Sequence, residues 1–511
     1  NRTNLNNNYM FPFFTSIVLL AIAFGLFYIF LVWNFGYWKK RGVKQAKAYP
    51  FFGSFPSQFT ARRNVVYDVD DIYKKYKHTE NFVGTFNTRI PQLLVTCPEY
   101  AHKIFVNDFK YFHDNEFSNF LNKESDLVFA NNPFVIRGEE WKERRAEITP
   151  GLTASRVKCV FPVSQEVCKI FCDYIRKQSK MAPRDGLNAK EFCLRFTTEV
   201  VSDCVLGIKA GSFSERPTPI YETIKHVFDQ SAFFIFYSVL STMMPLIRKI
   251  YVAPLFSKQA DKFFFGLMQT AIDLRRKSKD IDRADFLKYI LDLQDKKNLS
   301  LAELTSHTVT FLTDGFETTA TVLAHSLLLL GRYPETQDKL RHEIESAGEI
   351  SFENLSDLPY LDAVIHETIR IFSPQLVARK LCTIPYEFVN KNGSKLHLEP
   401  NQVVQVPIHS LQHDPDIYEN PEEFVPERFL EEAGGVKKYR DMGAYLGFGD
   451  GPRVCLGMRF ALTQLKIALV EILKQFTIKV NPKTRTDNYL EETYFMAMLK
   501  GGVWLDIEPR N

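Results

Sequence analysis

From Phe11 to Trp33 the chain reads FPFFTSIVLLAIAFGLFYIFLVW, without one charged side chain. As a helix this run spans roughly 35 Å, more than the ~30 Å hydrocarbon core of a bilayer. In lipid only a helix satisfies all of its own backbone groups. Basic residues follow at once, at Lys39, Lys40, Arg41, Lys44 and Lys47, whereas only Arg2 precedes the run. That bias holds the C-terminal side in the cytosol and sends the Asn-rich tip to the lumen. A cleaved signal peptide would have a shorter apolar core, its charges in front and a small-residue cleavage site behind. Residues 1–38 are therefore expected to be a luminal tip and a single permanent transmembrane helix. Residues 39–56 read as a linker, basic at first and then turn-favouring through Pro50, Gly53 and Pro56.

No second linker, repeat or low-complexity tract follows, so residues 57–511 are read as one catalytic body. The 45 Phe and 22 Tyr of the whole chain, most of them in this body, supply a large aromatic core. The net charge of +4, with no dense basic run, gives no case for nucleic acid. The eight cysteines show neither paired metal-ligand spacing nor the density of a disulfide scaffold. The charged stretch Lys277–Lys297 reads as an exposed helix pair.

One helix stands out. Ser300-Leu301-Ala302-Glu303 is a capping box, and no Pro follows until Gly331-Arg332-Tyr333-Pro334. About 30 residues, apolar around much of their circumference, must cross the interior. Strand-like alternation is found at Phe82–Thr96, at Lys380–Ile408 and after Phe476. The expected fold class is mainly α with small β-sheets, preceded by a single N-terminal transmembrane helix.

The chemistry is concentrated in Leu446-Gly-Phe-Gly-Asp-Gly-Pro-Arg-Val-Cys-Leu-Gly-Met458. Glycines and a proline packed around one cysteine describe a backbone wound tightly about a sulfur, with Gly449, Gly451 and Gly457 permitting close approach and positive φ. A thiolate so held accepts backbone N–H bonds and gains from the start of the helical stretch that follows. With Phe448, Gly451, Arg453, Cys455 and Gly457 in fixed register, a merely structural thiol is a poor account of this loop.

The segment resembles the haem-binding signature of the cytochrome P450 family, Phe-x-x-Gly-x-Arg-x-Cys-x-Gly, at every fixed position. The resemblance implies haem b (iron protoporphyrin IX) as cofactor and Cys455 as its metal ligand. It further implies that Phe448 shields the sulfur and Arg453 pairs with a propionate. Glu367-Thr-Ile-Arg370 matches the family's buried Glu-x-x-Arg pair, which Arg428 in Pro426-Glu-Arg-Phe429 completes. Trp141 and Arg145 resemble the Trp-x-x-x-Arg helix that meets a propionate, and Arg379 stands where the family places another such contact. Thr313-Asp-Gly-Phe-Glu-Thr-Thr319 resembles the oxygen-activation motif. Here Gly315 is expected to clear space for O₂, and Glu317 and Thr318 to relay protons. Asp314 departs from the small residue that many relatives carry. The fatty-acid ω-hydroxylating branch carries Glu there, which can be ester-linked to the haem. Since Asp is one methylene shorter, a polar lining of the distal pocket is expected rather than a bond.

By position, the substrate pocket should draw on Phe112–Asn132, Phe228–Tyr237, Phe311–Thr318, Ser373–Val377 and Phe495–Met498. A lipophilic substrate, xenobiotic or endogenous, is expected to arrive through the membrane. The sequence holds no flavin or nicotinamide fingerprint, so the resemblance points to an NADPH-cytochrome P450 reductase, with cytochrome b5 as a further donor. Lys142, Arg144, Lys437, Lys438, Arg440 and Arg459 are candidate docking contacts. The expected location is the endoplasmic reticulum membrane, with the catalytic body in the cytosol. Rival readings are a haem-thiolate isomerase or dehydratase working without O₂, which the Glu317–Thr318 pair opposes, and a haem-binding sensor.

Overall fold

The computed structural model describes residues 4–120, 122–129, 131–181, 185–216, 218–226, 231–277, 283 and 285–510, with side chains from Phe13 onward. Its principal helices are α1 (Asn4–Val32), α2 (Gly138–Ile148), α3 (Val160–Met181), α4 (Ala189–Leu206), α5 (Ala232–Met243), α6 (Phe286–Lys297), α7 (Leu301–Arg332), α8 (Pro334–Ser346), α9 (Pro359–Ile371) and α10 (Met458–Gln475). The strands are β1 (Phe82–Asn87), β2 (Ile90–Val95), β3 (Asp114–Asn115), β4 (Leu187–Asn188), β5 (Ala378–Leu381), β6 (Tyr386–Val389), β7 (Lys395–Leu398), β8 (Val403–Val406), β9 (Phe476–Val480) and β10 (Trp504–Pro509). They form sheets of order β1-β2-β8-β5-β3, β4-β10-β9 and β6-β7. Within the first, β2 and β8 run parallel and the other pairs antiparallel. Mainly α with small sheets is thus the architecture found, and the three expected strand regions are strands.

The long helix follows its sequence signals closely. Ser300 caps α7 by accepting from the Glu303 N–H at 3.3 Å, and Glu303 accepts from the Ser300 N–H at 3.0 Å, completing the capping box. Most of its side chains are buried, because α4, α9, α10 and β9 all pack on it. The charged stretch differs from its reading. Residues 278–282 and 284 lie outside the described residues, but α6 turns Phe286, Leu287, Ile290 and Leu293 into the core rather than standing exposed. Six of the eight cysteines are buried, none of the eight is in a disulfide, and Cys455 opens onto a cavity.

A buried ion cluster ties α9 to the segment that precedes the cysteine loop. Arg370 donates to both Glu367 oxygens at 2.7 and 2.8 Å, and Arg428 Nε donates to Glu367 Oε1 at 3.0 Å. Arg370 also donates to the carbonyls of Gln412 and Pro421 at 2.8 Å. The expected triad is therefore present, with Glu367 and Arg370 buried and Arg428 nearly so.

The N-terminal segment combines two behaviours. Residues 13–28 of α1 expose every side chain, and Phe13–Val32 is long and apolar enough to cross a membrane. Trp38, in contrast, is 1% exposed. Its indole occupies the space where a Cβ on Gly84 would stand, 2.2 Å from the ring, and its Nε1 donates to the Thr85 carbonyl at 3.0 Å. Beyond it, Ala46 donates to the Gly84 carbonyl, Gly84 to Lys44 and Ser54 to Phe86, each at 2.8 Å. The stretch read as a linker is in fact stitched onto β1.

Candidate active site

The loop Leu446–Met458 winds around the Cys455 sulfur. Gly449 and Gly451 have φ of 71° and 63°. At Gly451 an added Cβ would stand 1.9 Å from the Phe105 carbonyl oxygen, so only glycine fits. Gly457 departs from its reading: its φ is −82° and an added Cβ would meet no protein atom within 4 Å. That glycine serves as the N-cap residue of α10 and keeps open space at the cavity, rather than allowing a positive φ. The tight approach at Gly447, where a Cβ would lie 2.2 Å from Ile369 Cγ2, is one the sequence did not single out.

Cys455 N–H donates to the Phe448 carbonyl at 2.8 Å, while the N–H groups of Gly457 and Met458 donate to its sulfur. Burial pushes the thiol up to about 11. The Gly457 N–H opposes that push, Asp314 adds to it, and Arg145 and the Met458 N–H pull the other way. The sulfur opens onto a cavity of about 1330 Å³ whose lining also takes in Asp314, Gly315, Glu317 and Thr318 of α7. Trp141, Arg145, Arg379, Lys380, Phe448 and Arg453 line the same cavity.

The cations are arranged around this space. The Arg453 guanidinium lies 4.3 Å from the Trp141 ring centroid, and its terminal nitrogens donate to Pro133 at 2.9 Å and Ile136 at 3.1 Å. Its Nε is buried with no partner among the described residues. Arg145 donates to the Val454 carbonyl at 2.7 Å. Strand alternation separates the neighbours Arg379 and Lys380: Arg379 is half-buried 3.7 Å from Glu116, while Lys380 is buried and donates to Asn115 at 2.8 Å. Burial pushes the Lys380 ammonium down to about 7. Four cationic side chains, an orphaned guanidinium N–H and an open sulfur on one cavity fit a large planar group that bears carboxylates and a thiolate-binding iron.

A family model described as Cytochrome P450 matches residues 44–503. The chain belongs to the cytochrome P450 family. Among its relatives is "Probable cytochrome P450 28d1" of Drosophila melanogaster, 59% identical over 98% of this chain and 100% of that one. "Probable cytochrome P450 28d2" of the same fly is 57% identical over 98% and 100%, and "Probable cytochrome P450 28a5" 46% identical over 96% and 99%. As a cytochrome P450 the chain is a haem-thiolate monooxygenase that works with a redox partner and a small-molecule substrate.

The α7 motif is rearranged relative to its reading. Asp314 and Thr318, one turn apart, share the cavity, and the Thr318 hydroxyl donates back to the Asp314 carbonyl at 2.8 Å. Gly315 lines the cavity through its backbone, but an added Cβ would meet Val201 of α4 at 3.5 Å, an ordinary contact. Glu317 is buried and ion-paired to Lys190, with the Tyr494 hydroxyl donating to it. No direct bond joins it to Thr318 among the described residues. Lys190 and Tyr494 were not foreseen, since neither lies near Glu317 in sequence and no motif marks them.

The expected pocket segments are well represented in the lining by Phe117, Phe129, Asn132, Phe311, Leu376 and Phe495. Ile235 represents the aromatic stretch, of which residues 227–230 lie outside the described residues. Phe112 does not line the cavity but packs on Tyr386 and Phe388 in the sheet core. Of the six candidate docking cations, four have acidic partners: Lys142 on Glu139, Arg144 on Glu147 and Glu303, Lys437 on Asp441 and Arg440 on Asp450.

Proposed function

We propose that the protein inserts one atom of O₂ into a lipophilic small molecule, drawing electrons from an NADPH-dependent flavoprotein reductase. The observation that carries this reading is the Cys455 sulfur, held by two backbone N–H groups at the head of α10 and open to a cavity that Asp314 and Thr318 also line. In this reading Cys455 would ligate the haem iron, and Trp141, Arg145, Arg379 and Arg453 would hold the propionates. Lys380, on the wall of the same cavity, would be a further cation for them. Bound there, haem supplies the redox chemistry that cleaves dioxygen, and thiolate ligation favours that cleavage. Thr318 holds its proton on the Asp314 carbonyl. Rotation of the hydroxyl turns that proton into the cavity, where a positioned donor assists the reaction. Glu317, a carboxylate paired with Lys190 and bonded by the Tyr494 hydroxyl, can pass a proton on only after taking one up from these donors or from solvent.

The aromatic lining supports a lipophilic substrate. So does α5, whose Phe233, Ile235 and Phe236 are exposed beside Leu246 and Ile250. With α1 as anchor and basic residues directly after it, the body faces the cytosol from a membrane of the endoplasmic reticulum.

Cys455→Ser is expected to abolish the long-wavelength Soret band of the reduced carbon monoxide complex; a persisting band would assign the ligand to another residue. Thr318→Ala should keep haem content but divert NADPH oxidation from product to peroxide. Unchanged coupling of NADPH to product would remove Thr318 from proton delivery.

A further inference from the structure

We propose that the cavity accepts a lipophilic cation, a largely apolar molecule with one positively charged nitrogen, and that Asp314 holds that charge. This rests on the monooxygenase reading above and names the polar feature its substrate carries.

Four acids line the cavity among the described residues: Glu116, Glu191, Asp314 and Glu317. Protein cations neutralise three of them. Glu116 lies 3.7 Å from Arg379, Glu191 lies 3.1 Å from Arg195 and 3.2 Å from Lys225, and Glu317 is paired to Lys190. Asp314 is different. Among the described residues its carboxylate has no cationic partner: it accepts from the neutral Asn132 amide at 3.2 and 3.4 Å, and the Thr313 hydroxyl oxygen lies 3.3 Å away. These distances lie at or beyond the long end of the ~2.7–3.2 Å usual for an N–H···O bond.

The arrangement is fixed by its surroundings. Asn132 is fully buried, and its own Oδ1 accepts from the Phe134 N–H at 2.8 Å, which keeps its amide turned to Asp314. The Thr313 hydroxyl is already committed to the Val309 carbonyl at 2.8 Å. The carboxylate is open to the cavity, and as water leaves that cavity a charge with no countercharge is poorly compensated. Burial accordingly pushes Asp314 up to about 6. A bound cation supplies what the protein withholds, and it strengthens as water leaves the cavity. The surrounding rings of Phe117, Phe129, Phe256 and Phe311 suit the apolar remainder and also attract a quaternary nitrogen through their faces.

The test uses the haem-loaded enzyme and two ligands of one shape, 4-phenylbutyl-trimethylammonium and its counterpart in which a tert-butyl group replaces the trimethylammonium. Neither can ligate iron, so equilibrium dialysis and the Soret displacement both report binding in the cavity. The cation is expected to bind about tenfold more tightly than the isostere. Asp314→Asn, which keeps the size and the Asn132 contact, should bring that ratio close to one. Equal affinities in the wild-type enzyme overturn the assignment without recourse to the variant, and a preference that survives Asp314→Asn overturns it equally. Reductase-driven oxidation of the neutral isostere by the wild-type enzyme is followed separately. Its failure alongside an intact, Asp314-dependent preference would remove the monooxygenase reading and leave the cation site standing.

Discussion

Exchanging Glu367 for Gln is expected to destabilise the fold by about 3–5 kcal/mol, the usual cost of leaving a buried charge without its partner. Glu367 and Arg370 are completely buried, and Arg428 nearly so. The carboxylate takes three charge-assisted bonds from these two guanidiniums at 2.7 to 3.0 Å. Glutamine keeps the shape but answers two cations with a neutral amide that offers them one oxygen. Arg370 cannot turn to solvent, because it is fully buried and also bound to the carbonyls of Gln412 and Pro421. The cluster also joins α9 to the segment leading into the cysteine loop, so local loosening should reach the haem site. The measurement is the yield of soluble protein together with its haem content. Wild-type values for both would show that the triad carries little of the fold.

Gly451→Ala should have the next largest effect, and on a different quantity. A φ of 63° costs a non-glycine residue about 1–2 kcal/mol. The added Cβ would in addition stand 1.9 Å from a backbone oxygen of Phe105, which has no rotamer by which to withdraw. The strain alone corresponds to a factor of about 5–30 in an equilibrium. The overlap adds to it by forcing the loop away from Phe105. Haem retention during dialysis against apomyoglobin checks this directly; the variant should lose haem much faster than the wild-type enzyme. Equal loss rates would mean that the loop tolerates displacement.

The fold class and the cysteine loop were legible because both are local. Thirteen residues in fixed register specify one backbone path, and a capping box with a distant Pro specifies one long helix. The polar partners inside the cavity were not legible, for reasons that differ by residue. Glu317 meets Lys190 and Tyr494 across large separations in sequence, and no periodicity encodes that meeting. Lys380 was not legible either: period-two alternation places it on the opposite face from Arg379, and only the folded chain brings both to one cavity. Gly457 misled because a glycine in a signature suggests an unusual backbone, whereas here it preserves empty space.

The packing of Trp38 against Gly84 has a mechanical consequence. Five residues separate the end of α1 at Val32 from a tryptophan locked into the sheet, a tether of at most about 20 Å even when fully drawn out. An enzyme moored by a long slack cord could roll and present any face to the lipid. With α1 set in a bilayer, as proposed above, so short a tether would keep one flank of the body beside the membrane, and a lipophilic molecule in the leaflet would meet that same flank at each encounter.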